Sequence, residues 1–368
     1  EAMEMVRRRL TVVGVGLVAC LGCVSFGPNS ILSHLYYDYG PEATLEALES
    51  AEINPENLAL ANLEKAMVLT ELGRYEESLD ALETAALRLD ADAETAAVVS
   101  SRGYGPWLPE YHERVLAKTL AMANLMALYD TVGAAAAADL ALEEIAAIGC
   151  GECEFGFTRL LAALAYGGAG RFSDGLGALE GLEAEGRPAA LVGEVRRRLE
   201  RGVAGFQPEG LAPPPVESER FVVAILLLGR GPYKEPATLD LGPGHTIRWS
   251  RWVPREPQTI AWAVMDLDEP VRSAEFTDVE EVAVAGLELR GRRVIAGDES
   301  RSNSEKRDAR HWTSMPASLQ VVAVELPSES DAVDLVFFSP EAVEIDHETI
   351  EVPEAWLGGP IFVVRRVP

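Results

Sequence analysis

Positive charge is what this 368-residue chain most lacks. Lys and Arg number 32 against 59 Asp and Glu, a formal net charge of −27. A surface that acidic repels phosphate backbones, which excludes nucleic acid as a partner. Histidine is also scarce: the five, at positions 34, 112, 245, 311 and 347, show no HxH or HExxH spacing, so no metal site is expected. There is no GxSxG elbow, Walker motif or other glycine-rich phosphate loop, and neither a catalytic residue nor a cofactor is expected. No apolar run reaches the ~20 residues of a membrane-spanning helix. Composition is otherwise that of a globular protein, 48% hydrophobic and 25% charged, which excludes wholesale disorder, collagen and coiled coil. The length suggests two domains.

What is present begins with an address. Arg7, Arg8 and Arg9 precede an apolar stretch from Leu10 to Ala19, the pattern of a signal peptide over residues 1–19. Leu17-Val18-Ala19-Cys20 looks like a bacterial lipobox. The expectation is cleavage before Cys20 and acylation of that residue, with Cys23 a second choice. Several acyl chains, at ~0.8 kcal/mol per buried CH₂, make such an anchor stable. With no Asp after Cys20, sorting to the outer membrane, facing the periplasm, is expected. Residues 20–36 then form a tether.

Residues 37–204 read as a helical domain. Leu60 to Ala85 predicts two antiparallel helices closed at Gly73, with Leu63, Ala66, Met67, Leu72, Leu79, Leu82 and Ala86 on the inner faces. Gly170-Arg171-Phe172 marks a second such pair, and Leu116–Tyr129 with Ala134–Ala147 a third around Gly133. Gly73-Arg-Tyr-Glu-Glu-Ser78 resembles the inter-helix sequence of a tetratricopeptide repeat, in a degenerate array. Arg196-Arg197-Arg198 is expected to complement the last helix's dipole. Residues 205–219, with three consecutive prolines, form a stiff linker. Residues 220–368 are strand-rich: Phe221–Leu228 is a continuous β-favouring run, and six further segments predict strands, Thr246–Val253, Thr259–Met265, Leu319–Glu325, Ala332–Phe338, Ala342–Val352 and Ile361–Val367. One helix is expected at Val279–Leu289, capped by Asp278. The fold class is therefore α+β in two domains, a tetratricopeptide-like solenoid followed by a mainly-β, sandwich-like domain.

Two places suggest chemistry or contact. Cys150-Gly-Glu-Cys153 has the alternatives of a small-loop disulfide, inert thiols, a redox pair or half a metal site; a redox role would need a thioredoxin-like setting that the helical surroundings do not supply. Tyr104 and Trp107 lie on a loop ahead of a helix carrying Tyr111, Glu113 and Arg114. These five are candidates for partner binding, since Trp, Tyr and Arg dominate hot spots, or else they fill the groove between repeats as core. His311 and Trp312 read either as a ligand rim or as the lead into a strand.

Several segments together resemble a family of uncharacterised proteobacterial lipoproteins with N-terminal tetratricopeptide-like repeats and a C-terminal β-rich domain. They are the lipobox, Tyr111-His-Glu-Arg-Val-Leu116 with Leu120-Ala-Met-Ala-Asn124, Leu228-Gly-Arg-Gly-Pro-Tyr-Lys-Glu235, and Asp308 to Gln320. The chain departs from that family's pattern at Leu228, where an Asn would fall, and in lacking most of a long helix after Leu289. Members of the family are often encoded beside lipoprotein activators of peptidoglycan synthases. The resemblance thus implies a protein-interaction scaffold in cell-envelope assembly, binding envelope proteins through its repeats and the membrane through its lipid. The alternatives are a periplasmic binding module for a small molecule or glycan, and a CxxC redox protein.

Overall fold

The structure is a computed structural model that describes residues 30–99, 106–148, 155–184, 189–205, 220–240, 246–255, 260–267, 269–279, 281–283, 310–326, 330–351 and 360–367. Cys20, Tyr104, Cys150, Cys153 and residues 206–219 of the expected linker lie outside the described residues. Helices fill the first part: α1 (Ile31–His34), a π-helical turn at Leu35–Tyr39, α2 (Pro41–Ser50), a 3₁₀ turn at Pro55–Asn57, α3 (Leu58–Glu71), α4 (Tyr75–Val99), α5 (Tyr111–Ala127), α6 (Thr131–Ile148), α7 (Gly156–Gly168), α8 (Phe172–Ala184) and α9 (Ala189–Gly205). Strands fill the second: β1 (Arg220–Leu228), β2 (Tyr233–Asp240), β3 (Thr246–Val253), β4 (Trp262–Asp266), β5 (Val271–Arg272), β6 (Ala274–Asp278), β7 (Ser318–Leu326), β8 (Ala332–Phe338), β9 (Glu344–Glu351) and β10 (Pro360–Val367). This is the expected α+β order. Among the described residues no helix is long and apolar enough to cross a membrane.

The compact units do not follow that linear split. One unit takes the chain up to Glu113, then Gly231–Arg255 and Ala283–Met315; the other takes Arg114–Arg230, Glu256–Val282 and Pro316–Pro368. Each therefore combines helices from the first part with strands from the second.

Three helix pairs share one turn. At the end of α3, Gly73 has φ +70°, its N–H donates to Thr70 O at 3.0 Å, and Arg74 N–H donates to Leu69 O at 2.8 Å. After α7, Gly170 (φ +74°) donates to Gly167 O and Arg171 to Tyr166 O, at 3.1 and 2.8 Å. These are Schellman motifs, in which a left-handed residue lets the last carbonyls of the helix be satisfied. The third pair has the same bonds, Tyr129 to Met126 O and Asp130 to Leu125 O, at 3.0 and 2.9 Å. Here the left-handed position, φ +60°, is occupied by Tyr129, not glycine. The turn expected at Gly133 is thus displaced by four residues. Gly133 lies in the first turn of α6, where its N–H bonds the capping carboxylate of Asp130 at 2.9 Å.

The inner face of the first pair is close to expectation. Leu63, Ala66, Met67 and Leu82 are buried, but Ala85 and not Ala86 turns inward. Leu72 and Leu79 are only partly covered.

In the second unit, one sheet has the order β10-β1-β7-β6 and another β5-β4-β8-β9. Val222, Ala224, Leu226 and Leu228 of β1 share one apolar core with Ala263 and Met265 of β4 and with Leu335 and Phe337 of β8, so the two sheets are layered. The alternate set on β1, Phe221, Val223, Ile225 and Leu227, is buried as well. On that face Arg198 of α9 lies 3.9 Å from the Phe221 ring centroid, and Phe157 N–H of α7 donates to Thr277 Oγ1 of β6 at 3.1 Å. A strand covered on both faces needs an unbroken apolar run, which explains Phe221–Leu228. Arg198 also pairs with Glu194 and Glu325, so it joins α9 to the sheet; the expectation that it complements a helix dipole is replaced by this contact. Asp278 does cap a helical turn, accepting from Glu281 N at 3.1 Å, while residues 284–289 lie outside the described ones.

Tyr129→Gly removes a left-handed strain of about 1–2 kcal/mol from a side chain that is half exposed. The variant is expected to unfold at higher denaturant than the parent, with an unchanged m-value; a lower midpoint would show that the tyrosine ring contributes more than its backbone costs.

Candidate functional site

In the first unit, three of the segments that carry the resemblance converge on one another: the start of α5, the start of β2 and residues 310–315. Residues 310–315 belong to no helix or strand, yet His311, Trp312, Thr313, Ser314 and Met315 are all buried. A buried irregular segment must find partners for its backbone polar groups. Here side chains supply them. Glu64, in the middle of α3 and 1% exposed, accepts from Thr313 N, from Ser314 N at 2.9 Å and from Ser314 Oγ at 2.6 Å. Glu113 accepts from Trp312 N at 3.0 Å through one oxygen. Its other oxygen takes the N–H of Glu110 at 2.7 Å, half of a capping box that starts α5. Tyr37 Oη donates to Thr313 O at 2.8 Å, Gly231 N to Met315 O at 2.8 Å, and Trp107 Nε1 to Arg310 O at 3.3 Å. Arg310 in turn donates to Asn57 Oδ1 at 2.7 Å.

A second group packs beside this clasp. Lys234 of β2 pairs with Glu110 at 3.1 Å, both well buried, and its ammonium lies 4.9 Å from the Trp252 ring centroid. His112 stands edge-on to Trp252 with centroids 4.7 Å apart, and His311 approaches the same indole at 5.9 Å. Among the described residues His112 Nε2 has no hydrogen-bond partner. Arg255 lies between the rings of Tyr37 and Tyr233, at 5.2 Å from each, and reaches Ser33 Oγ at 3.3 Å.

The electrostatics follow from burial. Desolvation pushes the Glu64 carboxyl above its usual range, and the donors from Ser314 and Thr313 pull it only part of the way back. Desolvation, reinforced by the neighbouring Lys234 and His311, lowers His112 to about 3, so its imidazole is neutral at physiological pH. Acid and base groups are present and buried: Glu64 and Glu113 bind the chain's own amides, and His112 packs on Trp252. The arrangement holds a chain segment.

The five contact candidates divide accordingly. Trp107 and Glu113 are buried. Arg114, at the boundary where α5 enters the second unit, pairs with Glu144 of α6 at 2.9 Å and stays partly exposed. Tyr111 is partly exposed. Tyr104 is outside the described residues. His311 and Trp312 are buried in the irregular segment that leads into β7 at Ser318, and Trp312 N is held in the clasp. Glu64, Lys234 and Trp252 were not singled out by sequence; Glu64 sits among apolar residues of α3, and a lone acid on an inward face is the signal that marks it. Among the described residues no group of three His, Cys, Asp or Glu is placed to hold a metal ion.

Glu64→Ala leaves the Thr313 and Ser314 amides buried without an acceptor and should cost about 2–5 kcal/mol, read as a lower urea midpoint. An unchanged midpoint would mean that water replaces the carboxylate. The histidine gives a pH signature. The unfolded chain protonates His112 near 6.5 while the folded chain resists until about 3, so stability falls as pH drops below 6.5. His112→Gln should flatten the stability profile between pH 7 and 5 relative to the parent; parallel profiles would remove His112 as the cause.

No protein-family model, curated protein or solved structure matches the chain.

Proposed function

We propose that the protein is a lipid-anchored lipoprotein of the outer membrane, facing the periplasm, that acts as a protein-interaction scaffold in cell-envelope assembly, with a link to peptidoglycan synthesis. In this reading α3–α4, α5–α6 and α7–α8 are tetratricopeptide-like repeats, and the layered sheets are a sandwich-like second binding domain. The observation that carries it is the recurrence of one Schellman turn, at Gly73, Tyr129 and Gly170, closing three successive helix pairs. Repeated helix pairs of this kind stack to give extended binding surfaces without a catalytic centre. The lipobox at Leu17–Cys20 supplies the compartment.

Cys20→Ser is expected to abolish acylation, so that metabolic labelling with palmitate, strong for the parent, disappears and the membrane-pelleted fraction falls. Equal labelling of the two would remove the anchor. Cross-linking of intact cells followed by mass spectrometry is expected to join lysines of the repeats to envelope proteins. Cross-links confined to the chain itself, with the protein sedimenting on purified peptidoglycan, would favour the glycan-binding alternative.

A further inference from the structure

In the first unit β2 and β3 form a two-stranded sheet that no third strand joins among the described residues. A lone pair of strands is marginal in water and keeps its order by packing on something else. One cross-strand pair, Lys234 opposite Trp252, supplies that packing at the start of α5. Both side chains are buried: Lys234 pairs with Glu110 at 3.1 Å, and the Trp252 ring takes the edge of His112 at a centroid distance of 4.7 Å. The sheet is tethered at one end, where Gly231 N–H donates to Met315 O just before β2 and Arg255 reaches Ser33 and the Tyr37 ring just after β3.

His112 is the vulnerable member of this contact. It is 4% exposed, and a proton added at its bare Nε2 would be a buried charge with no acceptor. The groups around it add to that cost. Lys234 of β2 and His311 of the irregular segment both disfavour a further cation, and Arg255 lies 3.5 Å from His311 Nε2. The acids beside it in sequence, Glu110 and Glu113, are engaged by Lys234 and by Trp312 N–H. Glu64 on α3 responds in the opposite sense. Burial raises its carboxyl, so the folded clasp takes up a proton more readily than the unfolded chain and is held, not loosened, as pH falls. Acid thus strains the contact of the sheet with α5 and spares that of residues 313–314 with α3.

We propose that β2–β3 is an acid-released element: as pH drops below neutral the sheet leaves the start of α5 and uncovers Trp252, while the helices of the first unit stay folded. In the closed form His112 resists protonation until about pH 3; once the sheet leaves, its ring meets water and returns to about 6.5. Protonation therefore traps the open form, and the opening constant grows about 25-fold between pH 7 and pH 5. Local opening of this kind belongs to elements with few contacts to the rest of the fold, as a lone two-stranded sheet is. The device goes beyond the scaffold reading and does not depend on it, since neither the anchor nor a partner enters.

Hydrogen exchange of the full chain in detergent, read by mass spectrometry at pH 7 and pH 5 and corrected for intrinsic rates, tests this. Protection of Tyr233–Asp240 and Thr246–Val253 is expected to fall about 25-fold across that range, while that of α3 changes by less than about threefold. His112→Phe keeps a flat ring beside Trp252 and removes the titration, so in that variant the fall should shrink to within about twofold. Should the Phe variant not fold, His112→Gln is read in the same way. Unchanged protection of the two strands in the parent, an equal fall in α3, or a full-size fall in the variant overturns the proposal.

Discussion

A protein interior tolerates irregular backbone only when something else supplies its hydrogen bonds. In the first unit two carboxylates do so. Glu64 and Glu113 collect the amides of residues 312–314, and around that clasp the tryptophans, tyrosines and buried cations are arranged. Remove the clasp and several further contacts lose their footing: Tyr37 loses its carbonyl acceptor on Thr313, Gly231 its acceptor on Met315, and Trp107 its hold on Arg310. The cluster has the ingredients of an active centre, including a raised carboxyl and a neutral imidazole. All of them are buried. Perturbed acid and base groups mark functional sites only when a substrate can reach them, and structural networks perturb them equally.

What sequence made legible here was periodicity. The continuous run of β1, the alternating residues of β7 and β8, and the glycine turns at 73 and 170 all sit where their patterns put them. Patterns failed where tertiary context supplied the reason. Tyr129 occupies a left-handed position that sequence reserves for glycine, so the third turn was assigned to Gly133. The strand β2 carries Pro236, which argues against a strand, yet among the described residues β2 pairs with β3 in a two-stranded sheet, where an edge position tolerates a proline. The strands β5 and β6 are short, and Phe276 is the one large buried side chain in them.

The clasp was hardest to read. Its parts lie near residues 64, 113, 234 and 312, and nothing in the spacing of an acid on α3 announces a partner some 250 positions later. The aromatic residues that looked like docking candidates were conspicuous for the right reason, rarity, but rarity does not distinguish an anchor for a neighbour from an anchor for the chain itself. Trp107 and Trp312 serve the chain.

The pairing of β1 carries a consequence for how the molecule is made. β1 lies between β7 and β10, antiparallel to the first and parallel to the second, in unbroken register from Phe221 opposite Pro360 to Leu228 opposite Val367. Its most apolar eight residues therefore emerge roughly a hundred residues before one neighbour and about 140 before the other. Closing so long a loop is slow. During that interval a sticky, unpaired segment must be kept from other chains, so biogenesis of this protein should lean on a holding chaperone until the last strand arrives.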